Sequence, residues 1–399
     1  MEILKKTFIF TISAFLFLSC GKDGGDLSIG ILDVKPEEVK NTVLIYAVNN
    51  SSLSYYFNED ASEMLKAASK VDLTKNRILL YKTIADNKCG LYTVDAKTDG
   101  SDPFFTLVKQ YDRDVTSTHP DRIKEVIDHS LSLYPNSSYD LVFWGHGMSW
   151  RPYFTDHKID VPMDYAYGGE YTGGKNPNGT LKTDWTEIND LAAAVPDHKF
   201  ETVWFDCCYM SGIEVMYEFK DKCNTFVAYP SEVWDRGLPY DLVLPYLLDS
   251  DHDLVAAADS FYQYYAKSYE PVTVAVMDMS KMEKVADKTK DLIGSLQIMP
   301  NLNSIFNYSY GRPTYSPFYD LNDLMKNISQ DNNQEDRYKA FKMALDEFIL
   351  YHAESDYDFS LRKWDSSKIN GINSYLYLGN GSKDEAFYKT LAWYKRVYP

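Results

Sequence analysis

Two short stretches carry residue types that together could break an amide bond. The apolar run Thr-Val-Trp-Phe ends in Asp206, Cys207 and Cys208, and the run Asp-Leu-Val-Phe-Trp ends in Gly145, His146 and Gly147. A thiol becomes an effective nucleophile when an imidazole takes its proton or protonates the group it displaces. A histidine between two glycines suits a tight turn that a substrate backbone can approach closely. The two candidates lie 208 − 146 = 62 residues apart, the span of one crossover between neighbouring parallel strands. Side chains alternate along a strand, so Asp206 and Cys208 share a face while Cys207 points away from it. Cys208 is therefore the candidate nucleophile and Cys207 a packing residue. Asp206 reads as the floor of a pocket for a cationic side chain, because an acid placed against the thiol itself would oppose its ionisation. Taken singly, a turn histidine or a buried cysteine is ordinary; the pair, in this order, is the signal. His119, His129, His157, His198, His252 and His352 have no such context and read as surface or packing residues.

These groups need strands that end side by side. Continuous apolar runs at 41–50, 76–86, 139–147, 199–208, 223–232 and 271–279 read as buried strands, with a short one at 91–95. Helical stretches lie between them, at 58–70, 119–135, 210–220, 240–249, 252–268 and 281–296. Asp184 with Glu187 three residues later resembles a capping box opening a further helix. The glycine- and proline-rich stretch 148–183 has loop composition, and residues up to about Val39 read as a flexible leader. Residues 300–399 are less regular: a helix near 336–353, a strand-like Asn-Ser-Tyr-Leu-Tyr-Leu-Gly and a closing helix. Strands alternating with helices indicate an α/β fold with a mainly parallel sheet covered on both faces, and in such sheets function gathers at the strands' carboxyl ends.

The stretch Phe-Asp-Cys-Cys-Tyr-Met (205–210) resembles the D-A-C-x-M signature of the clostripain family of cysteine peptidases, and Phe-Trp-Gly-His-Gly (143–147) resembles its histidine motif. Cys207 stands where that signature has alanine. The order of elements from about 40 to 300 is similar, as are Tyr-Asp-Leu-Asn-Asp-Leu-Met and Ile-Asn-Gly-Ile-Asn-Ser-Tyr-Leu-Tyr-Leu-Gly further on. The resemblance implies a caspase-like three-layer α/β/α sandwich with a central sheet of about six strands, carried by residues 40–299, and a C-terminal α+β extension over 300–399 packed on it. It implies a His146–Cys208 dyad, an oxyanion hole from the backbone N–H groups of Gly147 and Cys208, and Asp206 at the base of a pocket for Arg or Lys. A second pocket acid is expected from the stretch 229–241, either Glu232 or Asp235. Relatives of this kind can be activated by cleavage between the two motifs, where Lys158, Lys175 and Lys182 are candidate self-cleavage sites. No cofactor is required; some relatives use calcium, which keeps a calcium dependence open, although Asp-Asn-Asn-Gln-Glu-Asp (331–336) lacks the glycine and closing glutamate of an EF-hand loop.

The N-terminus bears on location. Lys5 and Lys6 precede an apolar stretch from Phe8 to Leu18, short for a membrane span and right for the core of a signal peptide. Ser19-Cys20 followed by polar, glycine-rich residues resembles a bacterial lipobox. The expectation is a signal peptide over 1–19, lipidation at Cys20 and a flexible leader over 20–39, giving an exported lipoprotein of a Gram-negative bacterium, periplasmic or on the cell surface. The four remaining cysteines, Cys89, Cys207, Cys208 and Cys223, show no C-x-x-C spacing, so neither a disulfide framework nor a structural zinc site is expected. A net charge of −17 excludes a phosphate-neutralising nucleic-acid surface and is compatible with a cationic substrate. The reading is thus a monomeric cysteine endopeptidase acting on peptides or proteins after Arg or Lys. A ligase using the same dyad, or a non-catalytic surface lipoprotein binding peptides or glycans, are the alternatives.

Overall fold

The computed structural model describes residues 30–85, 88–152, 165–176, 179–309 and 318–398. Its frame is a nine-stranded sheet rather than one of six. In chain order the fold runs through β1 (Asn41–Ala47), α1 (Ser54–Ala68), β2 (Asn76–Ala85), β3 (Lys88–Asp95), β4 (Phe104–Asp112), α2 (Pro120–Leu133) and β5 (Ser138–Trp144). Next come β6 (His146–Gly147), β7 (Tyr167–Lys175), β8 (Leu181–Thr186), α3 (Ile188–Ala194), β9 (Phe200–Asp206), α4 (Ile213–Glu218) and β10 (Cys223–Ala228). The remainder comprises α5 (Tyr240–Leu247), α6 (Leu254–Ala266), β11 (Thr273–Asp278), α7 (Met282–Ile293), β12 (Tyr319–Asp320), α8 (Leu321–Asp331), α9 (Glu335–Phe348), β13 (Ile349–Glu354), β14 (Asn373–Ser374), α10 (Lys383–Tyr388) and α11 (Ala392–Val397).

The main sheet has the order β13-β11-β10-β9-β5-β1-β2-β3-β4. Its five middle strands, β10, β9, β5, β1 and β2, are parallel. Antiparallel strands extend both edges: β11 and β13 on one side, β3 and β4 on the other. The continuous apolar runs are explained by burial on both faces. Along β1, Val43 and Ile45 face one core with α1, α5 and α6, whereas Leu44 and Tyr46 face another core built with α2, α3, α4, α7, α8 and α9. Two helical layers around one sheet follow, and among the described residues no helix is long and apolar enough to cross a membrane.

Several local expectations are corrected. The stretch 148–183 is not all loop: β7 and β8 form a glycine-rich hairpin that pairs with β6 in a second, three-stranded sheet. Asp184 caps no helix; it lies in β8, where its carboxylate accepts from the hydroxyls of Thr116 and Thr118 at 2.7 and 3.0 Å. The N-cap of α3 is Glu187, without a side-chain cap. Strand β4 adds to the strands expected from the sequence; most of its residues are half exposed or exposed and lack a buried run. The helix read to 353 stops at Phe348, and the chain turns directly into edge strand β13. The strand-like 373–379 keeps only Asn373 and Ser374 as strand. The stretch 331–336 joins α8 to α9, with the Asn332 side chain accepting from the N–H groups of Gln297 and Ile298 and donating to the carbonyls of Ile298 and Ile328. Residues 30–39, read with the leader, lie on the body: Leu32 donates to the Ala96 carbonyl, Glu38 pairs with Lys75, and Val39 is buried. The signal peptide, Cys20 and Lys158 lie outside the described residues.

Candidate active site

Neighbouring strands β5 and β9 end level with each other, Trp144 standing opposite Asp206 in the parallel register. His146 and Cys208 each follow two residues later, so both leave the sheet at the same edge. Gly147 shows how closely the two loops meet. A Cβ built there would lie 2.8 Å from the Cys208 carbonyl oxygen and 2.9 Å from the Cys207 Cβ, contacts that no larger residue could accept. His146, Cys208 and Asp206 line one cleft of about 320 Å³ with Leu53, Trp144, Gly145, Glu232, Val233, Trp234, Asp235, Gly237 and Phe359. A larger cavity of about 450 Å³ near residues 302–307 and 358–368 contains neither a cysteine nor a histidine.

The two cysteines have different surroundings. Cys207 is fully buried, its thiol 3.4 Å from the Phe143 carbonyl, and burial pushes its ionisation well above the usual thiol range. Cys208 is half buried at the cleft. Its sulfur accepts from the Val233 N–H at 3.4 Å and lies 3.7 Å from the Val233 carbonyl. A thiol held against exposed backbone at a cleft can meet an incoming carbonyl; one sealed in the core cannot.

The imidazole is held by a group that the sequence did not advertise. The hydroxyl of Ser52, in the loop after β1, lies 2.8 Å from His146 Nε2. That contact engages one ring nitrogen and orients the ring. Strand β1 neighbours β5, so a third strand end contributes to the site. Nothing in the Asn-Asn-Ser-Ser loop marks this role; the only available signal is its position after a buried strand.

Asp206 forms the floor. It is 4% exposed, and Oδ2 accepts from the Leu238 N–H at 3.0 Å and the Tyr240 hydroxyl at 3.1 Å. Oδ1 has no hydrogen-bond partner among the described residues. A buried carboxylate oxygen without a donor costs free energy until a cation or donor arrives. Burial raises this carboxyl to about 6, partly offset by the Leu238 and Tyr240 hydrogen bonds and the Tyr229 hydroxyl nearby, so it is charged at neutral pH. Asp60 on α1 lies behind it, buried, accepting from the Trp144 indole N–H at 2.7 Å. Desolvation and then the Asp206 charge raise Asp60 to about 9, leaving a neutral acid behind a charged one. Gly237, at φ +56°, sits where a Cβ would come within 2.7 Å of Asp206 Oδ2, so its lack of a side chain keeps the floor open. Glu232 is half buried and Asp235 exposed; both line the cleft, and Asp235 raises the ionisation of the Tyr56 phenol beside it. Lys175 and Lys182 lie exposed on the β7–β8 hairpin, Lys175 opposite Leu181. Among the described residues, no group of three or more His, Cys, Asp or Glu side chains is gathered for a metal ion.

The loop carrying Cys208 is braced from far along the chain. Tyr209 has φ +61°, unusual for a residue with a side chain. Its carbonyl accepts from Asn373 Nδ2 at 2.9 Å, and the same amide donates to the Pro230 carbonyl at 3.1 Å. The Asn373 N–H donates to the Ser211 carbonyl, and the Ser211 hydroxyl donates to the Gly371 carbonyl. Buried Glu214, at the start of α4, accepts from the Tyr375 N–H and the Tyr388 hydroxyl. Residues 370–388 thus hold the strained turn after the thiol.

Family and fold can be placed by similarity to known proteins. A family model described as the clostripain family matches residues 45–397. The fold is similar to that of an inactive zymogen C11 protease from Parabacteroides distasonis, with a TM-score of 0.75, 25% identity, and coverage of 92% of this chain and 100% of that one. It is also similar to a secreted C11 cysteine protease from Bacteroides thetaiotaomicron in complex with an irreversible peptide inhibitor, with a TM-score of 0.74, 24% identity, and coverage of 90% and 99%. No curated protein matches the chain.

Proposed function

The chain belongs to the clostripain family of cysteine peptidases, and from that premise we propose that it cleaves peptide bonds after a basic residue through a dyad of His146 and Cys208. Cys208 Sγ attacks the scissile carbonyl carbon, and the backbone N–H groups of Gly147 and Cys208 receive the developing oxyanion. The imidazole of His146 protonates the departing amine. Water then attacks the thioester carbonyl, breaking the carbon–sulfur bond and releasing the acid, with the proton returned to the dyad. The observation that carries this reading is the shared cleft: thiol, imidazole and a buried carboxylate with an unpartnered oxygen line one cavity. Asp206 receives the substrate's ammonium or guanidinium, with Glu232 and Asp235 adding negative charge along the cleft.

A panel of reporter peptides carrying Lys, Arg or Asp before the cleaved bond tests this, run on the purified protein and on Cys208→Ala, with and without calcium. Cleavage after Lys or Arg that vanishes in the variant is expected. Retention of full activity by Cys208→Ala, or a preference for Asp, contradicts it. Product masses separate hydrolysis from transfer to an amine.

Two further properties belong to the proposal. The protein is exported and held on a membrane by acyl chains on Cys20, a reading that rests on the N-terminal sequence and is tested by the mass of the mature N-terminal peptide. It is activated by cutting itself between the two motifs, at Lys158, Lys175 or Lys182. Exposure of the latter two, and the description of the Parabacteroides distasonis neighbour as a zymogen, support this step. Fragment masses of the wild type against Cys208→Ala test it.

A further inference from the structure

Phe359 belongs to the last hundred residues of the chain, yet it lines the same cleft as Cys208 and Asp206. Its ring lies 5.1 Å from that of Trp234, tilted by 52°. Trp234 is fixed by its indole N–H, which donates to the Pro271 carbonyl at 2.9 Å. With Val233 and Leu53 these rings add apolar surface to a cleft that is also lined by Asp206, Glu232 and Asp235.

The turn that carries Phe359 is built rather than loose. Asp358 is 1% exposed and collects the N–H groups of Ser360 and Arg362 on Oδ1 and the Arg362 guanidinium on Oδ2. The Asp358 N–H donates to the Arg362 carbonyl and the Leu361 N–H to the Asp358 carbonyl, while Tyr357 bridges Lys363. Leu361 takes φ +59° at the tip and is 78% exposed. A residue held this way presents its half-buried ring without an ordering cost at the moment of binding.

We propose that Phe359 and Trp234 form a subsite for an apolar substrate side chain, at one of the two positions preceding the basic residue. The inference rests on the peptidase reading above. It assigns to the C-terminal segment a part in substrate choice, since neither the strand ends nor the acidic floor would select such a side chain.

The test fixes Lys or Arg at the cleavage position and places Leu, Phe, Gly or Asp at each of the two preceding positions. Wild type, Phe359→Ala and Phe359→Tyr are compared, with thermal melting to establish that each is folded. At one position the wild type should favour Leu or Phe over Gly by about tenfold in kcat/KM, the scale of a well-filled apolar pocket. Phe359→Ala should lose most of that preference, with KM rising about tenfold for the Leu and Phe peptides and by much less for the glycine peptide, and Phe359→Tyr should keep it. An unchanged preference in Phe359→Ala, or none in the wild type, overturns the subsite. Absence of cleavage of every peptide overturns the peptidase reading itself, and the subsite with it.

Discussion

Trp144 and Asp206 face each other in register on adjacent parallel strands. That alignment brings the proposed dyad together, because the chain leaves both strands at one level, with His146 and Cys208 each two residues further on. The Trp144 indole and the Asp206 carboxylate also mark the boundary between packed sheet and open cleft, with Asp60 buried behind them.

Gly147→Ala tests the closeness of the two loops. The new methyl would meet the Cys208 carbonyl at 2.8 Å, a backbone atom that cannot rotate away. Loss of at least about 100-fold in kcat/KM is expected, with a stability loss of about 1–3 kcal/mol from overpacking, read by urea unfolding. Wild-type kinetics in the alanine variant would show that the loops do not approach as described.

Asp206 gives a pH signature. A carboxyl raised to about 6 is charged above that value and protonated below it. In the proposed role, its pull on a basic substrate is present at neutral pH and fades as pH falls through about 6, so KM for a Lys or Arg peptide should rise on the acid side. Asp206→Asn should raise KM at pH 7.5 by about tenfold or more and flatten this acid limb. The linkage to stability has the opposite sense. A raised carboxyl stabilises the fold most fully below the ordinary aspartate value, and that contribution is lost as pH rises through about 6, so Asp206→Asn should gain melting temperature relative to wild type at pH 8 more than at pH 4. An acid limb unchanged in Asp206→Asn assigns it to another group.

Ser52→Ala removes the hydroxyl 2.8 Å from His146 Nε2. Ser52 acts through the imidazole, as a positioning residue, so kcat should fall by about 10-fold, the scale of a hydrogen bond to a group that becomes charged, with KM nearly unchanged. Ser52→Thr should restore most of the rate. A KM effect alone would place Ser52 in substrate binding instead.

Asn373 ties the strained Tyr209 turn to the loop after β10 through two carbonyls. Asn373→Ala leaves both buried acceptors without this donor and should cost about 2–4 kcal/mol in urea unfolding. Activity should fall further than the unfolded fraction explains, since the turn positions Cys208. Equal losses of activity and folded protein would make the brace purely structural.

The strand ends that line the cleft were legible because fully buried parallel strands read as unbroken apolar runs, and side-chain alternation separated cleft-lining Cys208 from buried Cys207. Direction and edges were harder. A doubly buried strand has the same composition whichever way it runs, so β11 gave no hint that it is antiparallel. The half-exposed β4 and the glycine-rich β7–β8 hairpin lack the apolar run that announces a strand. Asp184 and Glu187 have capping-box spacing, yet tertiary bonds from Thr116 and Thr118 claim Asp184 for a strand. Ser52, Asn373 and Phe359 sit in turns or a two-residue strand and reach partners 94, 164 and 359 − 234 = 125 residues away, a separation that local pattern does not encode.

An irreversible alkylating peptide ending in Lys, incubated with the purified protein and located by peptide mass mapping, addresses the dyad most directly. One adduct is expected, on Cys208, absent from Cys208→Ala, formed at least about 100-fold more slowly in His146→Ala, and blocked by a competing Lys peptide. Labelling of Cys207, Cys89 or Cys223 in place of Cys208, or an undiminished rate without the imidazole, would contradict the dyad.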